Sequence, residues 1–334
     1  MESGKKLGFV YAGQGSQFVG MGKDFYEKEP VFAQAFDQAA ELVRSETDFD
    51  LKKCCFEGPE QQLGSTRYTQ PCMTAFAVGI TELLKARGIT PDVTLGLSLG
   101  EYGALYGAGV LTKEELLPLI AYRGKVMEEV VQGREVKMAA ILKMDAETIE
   151  QTCLVAQDRI NAELAQQDTS GSYSYFADQV PLVVEVANYN CPGQIVISGD
   201  TKAVDLACEM LREKGAKRII PLAVSGPFHT SLMKPAGDKL RDKLDQTVFH
   251  PAQAMVIHNL TAREKQGNES YQELLEKQVQ SSVRLEESIR YLAMSGVDKV
   301  IEIGPGDTIS KFIRKTVPEL ACISISKWED LKNE

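Results

Sequence analysis

The residue in this chain best suited to attack a carbonyl is Ser98, in the pentapeptide Gly96-Leu97-Ser98-Leu99-Gly100. A G-x-S-x-G match is common by chance, so its context carries the weight. Residues 93–97 form an apolar run that reads as a buried strand, and residues 100–109 read as a helix. A strand-to-helix elbow exposes the serine Oγ and aims the first N–H groups of the helix at developing negative charge. The plainer alternative is a serine capping an ordinary helix after a glycine turn, and the context favours the nucleophile.

A serine nucleophile needs a base, and the chain has three histidines. His250 precedes Pro251 in a turn and reads as structural or exposed. His258 ends a predicted strand and stands as a rival. His229, in Gly226-Pro227-Phe228-His229, follows the predicted strand 218–224. Ligands bind beyond the carboxyl ends of strands in an open parallel sheet, and Ser98, His229 and Gln14 are each expected at such an end. That convergence favours His229. Arg123 is the third chemically informative residue. The stripe Leu116, Leu119, Ile120, Val126, Met127 and Val130 places it on the inward face of a helix. A guanidinium there must snorkel, pair with a protein carboxylate, or receive an anionic ligand. Beside a serine nucleophile, two-point binding of a substrate carboxylate competes with snorkelling.

The elements that must hold these residues alternate along the chain. A strand over residues 7–12 ends in Gly13-Gln14-Gly15-Ser16-Gln17. A helix is expected to open at Pro71 and stop at Gly88, and another to run over 111–131 with Thr112 as N-cap. From residue 137 the order is strand 137–144, helix 146–165, strand 182–187, strand 195–198, helix 202–214 and strand 218–224. That β-α-β-β-α-β order is the ferredoxin-like split unit. The α/β alternation resumes after Ser225, with strands near 255–258 and 299–303. The expected organisation is α/β, a larger discontinuous domain (1–136 and 226–334) with a small subdomain (137–225) inserted, and an exposed loop over 166–179.

Composition narrows the partners. The 334 residues carry a net charge of −10, which disfavours nucleic acid and anionic membranes as partners. No apolar run approaches the roughly 20 residues of a membrane span. The seven cysteines include no C-x-x-C pair and read as reduced thiols of a cytoplasmic protein. Gly13 to Gln17 fits neither dinucleotide nor P-loop spacing. Gly304-Pro305-Gly306-Asp307 is a nest or a turn, and no cluster has metal-ligand spacing.

Taken together, the motifs resemble those of the malonyl-CoA:acyl carrier protein transacylase family of bacterial fatty acid synthesis. The matching pieces are Gly13 to Gln17, Gly96 to Glu101, Tyr122-Arg123-Gly124, Asn188-Tyr189-Asn190-Cys191-Pro192-Gly193-Gln194, Pro227-Phe228-His229 and Glu302 to Gly306, in order over nearly the whole chain. The resemblance implies an α/β-hydrolase-like core with a parallel sheet plus an inserted ferredoxin-like subdomain. It implies Ser98 as the acyl-accepting nucleophile, His229 as general base and acid, and the Gln278 backbone carbonyl as the group that orients His229. It implies an oxyanion hole from the backbone N–H groups of Gln14 and Leu99. Arg123 would grip the malonyl carboxylate, Asn188 and Asn190 would line the substrate pocket, and Phe228 would favour malonyl over methylmalonyl. The implied partners are malonyl-CoA and the phosphopantetheine thiol of acyl carrier protein, with no cofactor and a monomeric enzyme. Leu97 departs from the histidine many members carry there, which bears on acyl choice or leakage to water. The competing readings are a serine hydrolase or thioesterase, a non-catalytic carrier-docking protein, and an acyltransferase of a polyketide pathway.

Overall fold

The structure, a computed structural model, describes residues 5–167, 181–223 and 226–333. The first stretch contains β1 (Lys6–Tyr11), α1 (Lys23–Lys28), α2 (Pro30–Arg44), α3 (Leu51–Glu57), α4 (Glu60–Gly64), α5 (Thr66–Ala86), β2 (Val93–Gly96), α6 (Leu99–Gly107) and α7 (Lys113–Glu129). There follow β3 (Val136–Leu142), α8 (Ala146–Gln167), β4 (Val184–Cys191), β5 (Gln194–Asp200), α9 (Thr201–Glu213) and β6 (Arg218–Pro221). The last stretch holds α10 (Lys234–Asp245), β7 (Met255–Ile257), α11 (Tyr271–Gln278), α12 (Leu285–Met294), β8 (Val297–Ile303), α13 (Thr308–Thr316) and β9 (Ala321–Ile325). Among the described residues no helix is long and apolar enough to cross a membrane.

Two sheets divide the strands. The larger is all parallel, in the order β7-β2-β1-β8-β9, and helices cover both faces. Its central strand is apolar throughout its second half, with Phe9, Val10 and Tyr11 almost fully buried, as a strand sandwiched between helical layers requires. The register pairs Tyr11 with Gly96 and with Ile303, and Leu95 with Ile257. Four strands therefore end together, and the segments after them, which start near Ala12, Leu97, His258 and Gly304, meet at one edge. The smaller sheet is antiparallel, in the order β4-β5-β3-β6, which is the order of a ferredoxin-like split unit. It has its own apolar cluster, including Ile141, Ile149, Ile197 and Leu211 against α8 and α9. The architecture is the α/β class read from the sequence.

Several element bounds differ from the sequence expectation. The helix expected to open at Pro71 begins at Thr66, and Pro71 lies inside it. The early start is held from outside: Glu128 on α7 accepts from Ser65 Oγ and, at 3.2 Å, from the Arg67 N–H. A carboxylate at a helix N-terminus satisfies donors that have no intrahelical acceptor, and no local sequence pattern reports it. Gly124 lets α7 come this close, since a Cβ there would lie 3.0 Å from the Thr66 carbonyl. The strand expected over 182–187 runs over Val184–Cys191 and that over 195–198 over Gln194–Asp200, because the two pair as a hairpin closed by Pro192-Gly193. The strand expected over 218–224 ends at Pro221, and Val224 lies outside the described residues. Helix α8 extends to Gln167, so the expected 166–179 loop begins inside that helix, and beyond Gln167 it lies outside the described residues.

Candidate active site

The turn between β2 and α6 holds Ser98 at φ 52° and ψ −101°, a backbone conformation that L residues rarely adopt. Both flanking glycines are sterically required. A Cβ on Gly96 would sit 1.9 Å from the Gly100 carbonyl carbon, and one on Gly100 would sit 2.0 Å from the Tyr11 carbonyl oxygen. The sharp turn lifts Ser98 Oγ out of the sheet, where it donates to His229 Nε2 at 2.7 Å. His229 Nδ1 lies 2.9 Å from the Gln278 backbone carbonyl. A carbonyl can only accept, so Nδ1 carries the proton and Nε2 presents its lone pair to the serine. Ser98, His229 and the Gln278 carbonyl thus form the base-and-orienter arrangement of a serine triad without a carboxylate.

Burial, reinforced by the positive Arg123 nearby, depresses the His229 pKa from 6.5 to about 4. Neutral imidazole is the form that can take the Ser98 proton, so any reaction of Ser98 that relies on it should hold its rate from neutral pH downward and decline with a midpoint near 4. An ordinary histidine would give a midpoint near 6.5. Stability shifts in the same window. The unfolded chain binds the proton more readily, so the stability lost on acidification begins below about pH 6.5 and levels off below about 4, to the extent of about 3 kcal/mol. A rate profile by rapid-quench mass spectrometry, with circular dichroism at each pH, separates the two. A rate midpoint near 6.5 with the fold intact would contradict the buried geometry.

Arg123 is the largest fully buried side chain of the described residues. Its NH1 donates to Gln70 Oε1 at 2.8 Å, and its NH2 to Gln278 Oε1 at 3.1 Å and to Ser98 Oγ at 3.3 Å. The guanidinium lies 5.1 Å from the Tyr102 ring centroid, and its Nε has no hydrogen-bond partner among the described residues. No described carboxylate pairs with it. Burial pulls its pKa down, yet an arginine starts so high that it stays a cation. A buried cation held by two neutral amides, beside a serine hydroxyl, is arranged to receive an anion.

A cavity of about 370 Å³ opens onto Ser98, His229 and Gln70, and Arg123 lies directly behind Ser98 and Gln70, bonded to both. Gln14, Leu97, Ser98, Leu99 and His229 form one wall, Asn188, Asn190, Met138 and Val196 of the smaller sheet another, and Phe228, Ile309 and Phe312 close it. Leu99 is the first residue of α6, so its N–H has no intrahelical acceptor, and it shares the cavity wall with Gln14. The Gln14 side chain is engaged elsewhere, donating to Thr66 Oγ1 at 3.0 Å. Asn190 Oδ1 is buried without a partner among the described residues. Leu97 makes its side of the cavity apolar. A second groove of about 630 Å³, near Arg134 and Asp200, contains none of these groups, and those two residues pair with each other at 2.6 Å.

The two other histidines stand elsewhere. His250 pairs with Glu115 at 2.8 Å, and His258 is buried against Glu101 at 2.7 Å. The route by which His229 reaches the serine also differs from expectation. The strand before it, β6, belongs to the antiparallel sheet and ends eight positions earlier, so His229 does not follow a carboxyl end of the parallel sheet. It is positioned by the end of α11, whose Val279 and Gln278 carbonyls accept from its N–H and Nδ1. Gln70 and Asn259 carry no local sequence signature, and Glu101 enters the sequence reading only as the last residue of the Gly96 to Glu101 piece. Asn259 Oδ1 accepts the Ser98 N–H at 2.6 Å, and its Nδ2 donates to the Gly96 carbonyl at 2.6 Å, bracing the elbow. No group of three or more His, Cys, Asp or Glu side chains among the described residues could hold a metal ion. The segment after β8 is a turn: Gly306 N–H donates to Ser326 Oγ, and buried Glu302 accepts from the first amides of α13.

The model of the acyl transferase domain family matches residues 8–330. The chain belongs to the acyl transferase family. A malonyl CoA-acyl carrier protein transacylase of Bacillus subtilis (strain 168) is 42% identical to this acyl transferase over 327 residues, 98% of this chain and 95% of the relative. Among solved structures, one from Streptococcus pneumoniae described as MCAT superposes with a TM-score of 0.86 at 40% identity, covering 98% of both chains. A malonyl-transacylase solved in complex with a type II PKS acyl-carrier protein is similar at 33% identity and a TM-score of 0.86, again covering 98% of both chains. With relatives of that identity and coverage, this acyl transferase is a member of the malonyl-CoA–acyl carrier protein transacylase group.

Proposed function

We propose that this chain transfers a malonyl group from coenzyme A to the phosphopantetheine thiol of acyl carrier protein through a malonyl-serine intermediate. The observation that carries the reading is the buried Arg123 guanidinium, with no carboxylate partner among the described residues, placed 3.3 Å from the Oγ of a serine that a neutral histidine can deprotonate. A hydrolase acting on neutral acyl groups has no use for such a cation. In the proposed sequence, the malonyl carboxylate docks on Arg123 and places the thioester carbon against Ser98 Oγ. His229 Nε2 takes the serine proton as the C–O bond forms, and the oxyanion is received by the N–H groups of Gln14 and Leu99. Collapse expels coenzyme A thiolate, which takes the proton from His229. The carrier thiol then repeats the steps in reverse, giving its proton to His229 and displacing Ser98.

Asn188, Asn190 and Phe228 belong to the substrate pocket in this reading, with Phe228 limiting room for a branched acyl group. Every proton and charge in the sequence is handled by side chains and backbone, so the reaction as proposed calls for no cofactor. We also propose that the chain divides as 1–136 with 226–334 and 137–225, on the ground that the four antiparallel strands are consecutive between Val136 and Pro221. A cytoplasmic site of action is supported by seven cysteines, all unpaired.

The test is intact-protein mass after brief exposure to malonyl-CoA, followed by addition of carrier protein. One malonyl adduct, discharged to the carrier, is expected. Rapid loss of thioester to water with no carrier dependence would establish a thioesterase instead.

A further inference from the structure

Behind the nucleophile lies a polar frame that the acyl-transfer steps do not use. Glu101, in the first turn of α6, and His258, directly after β7, are both fully buried and lie 2.7 Å apart, His258 Nδ1 to Glu101 Oε1. The other carboxylate oxygen accepts from the Asn259 N–H at 3.1 Å and from Gln278 Nε2 at 2.8 Å. Gln278 Nε2 also donates to the Ser98 carbonyl at 2.8 Å, while its Oε1 accepts from Arg123 NH2.

We propose that Glu101, steadied by His258, is a positioning residue for acyl selection. It dictates which way the Gln278 carboxamide points, and so holds Arg123 open to the substrate's carboxylate. The inference rests on the reading of Arg123 as a carboxylate receptor. A carboxamide occupies nearly the same volume in either orientation, so its surroundings must choose. Reversed, Gln278 would set its NH2 against the Arg123 donors and its oxygen against the Ser98 carbonyl and the Glu101 carboxylate. The Asn259 N–H and Gln278 Nε2 both donate to one oxygen of Glu101, and the other faces His258 Nδ1, so a carboxylate that only accepts satisfies all three neighbours at once. Its negative charge compensates the buried cation from one amide away. A carboxylate touching Arg123 directly would compete with the substrate for the same guanidinium.

Two variants separate orientation from charge. In Glu101→Gln, the Asn259 N–H can only donate, so it retains the new amide's oxygen at its present acceptor position, and Gln278 keeps its partner. The new NH2 then faces His258 Nδ1, which must become the acceptor and move its proton to Nε2, an atom with no partner among the described residues. Glu101→Met keeps similar volume and removes the acceptor altogether.

In Glu101→Met the preference for malonyl over acetyl adduct formation should fall about tenfold or more, chiefly through a higher KM for malonyl-CoA, the loss expected for a hydrogen bond to a charged group. Glu101→Gln should restore most of that preference, and nitrogen NMR should show His258 switched from the Nδ1–H to the Nε2–H tautomer. Equal slowing of malonyl and acetyl transfer in Glu101→Met would overturn the proposal, as would a Glu101→Gln variant as unselective as the methionine one. If Glu101→Met does not fold, the tautomer decides: His258 keeping Nδ1–H in Glu101→Gln overturns the proposed orientation. Arg123→Ala, run alongside, distinguishes the two levels. Preference lost there but kept in Glu101→Met removes only the role of Glu101, whereas a wild type that shows no preference removes the reading of Arg123 and this inference with it.

Discussion

Ser98→Ala should give a folded protein that takes up no malonyl mass, with transfer slowed about a million-fold, the scale on which loss of a serine nucleophile acts. The fold should survive because the elbow is held by main-chain and neighbouring groups. Asn259 accepts the residue-98 N–H and Gln278 Nε2 donates to its carbonyl, and neither bond involves the hydroxyl. Alanine at φ 52° bears the same backbone strain as serine. What the variant loses is the hydroxyl oxygen held 2.7 Å from His229 Nε2. Intact mass and a thermal melt measured together check this. A malonyl adduct persisting in a folded Ser98→Ala protein would require a different nucleophile and sink the assignment.

Arg123→Ala should lower malonyl transfer by about two to three orders of magnitude while acetyl transfer falls by no more than about tenfold. Removing one partner of a buried, hydrogen-bonded charge pair costs about 2–5 kcal/mol, and acetyl has no carboxylate to lose. Some loss of stability is expected as well, because Gln70 Oε1 and Gln278 Oε1 are left without their donor. Arg123→Lys, which keeps the charge but not the planar fork, should recover only part of the malonyl rate. Adduct formation from malonyl-CoA and acetyl-CoA, compared in the three proteins, reads the ratio directly. Equal losses for both acyl groups would mean that Arg123 serves the serine or the fold rather than the substrate's carboxylate.

What was legible in the sequence follows from the range of the signal. The G-x-S-x-G turn is local: two glycines four residues apart are demanded by contacts within the turn and with the adjacent strand, so Ser98 is legible in the sequence alone. Arg123 was legible because helical periodicity reports which face is inward, and the structure buries it completely. The sequence context of His229 points to it, yet what brings it to the serine is the end of α11, 49 residues away from it. Gln278 had no signature of its own, since the group facing His229 is a main-chain carbonyl that every residue possesses; only the family resemblance pointed to it. Gln70 and Glu101 meet Arg123 and Gln278 across 53 and 177 positions, and spacing along a chain says nothing about such pairs. The start of α5 was misplaced for the same reason, its terminal donors being met by Glu128, 61 and 63 residues away.

The division of labour within Gln278 has a consequence for how this site can change over time. Its main chain faces His229 and its side chain faces Arg123 and Glu101, so the two halves of one residue are exposed to different selective pressures. No point substitution can delete a backbone oxygen. The orientation of the general base is therefore insulated from mutation, while the side chain that frames the acyl receptor is open to replacement. Position 278 is a place where acyl preference can drift, or be redesigned toward neutral or longer groups, without the lineage passing through an inactive ancestor.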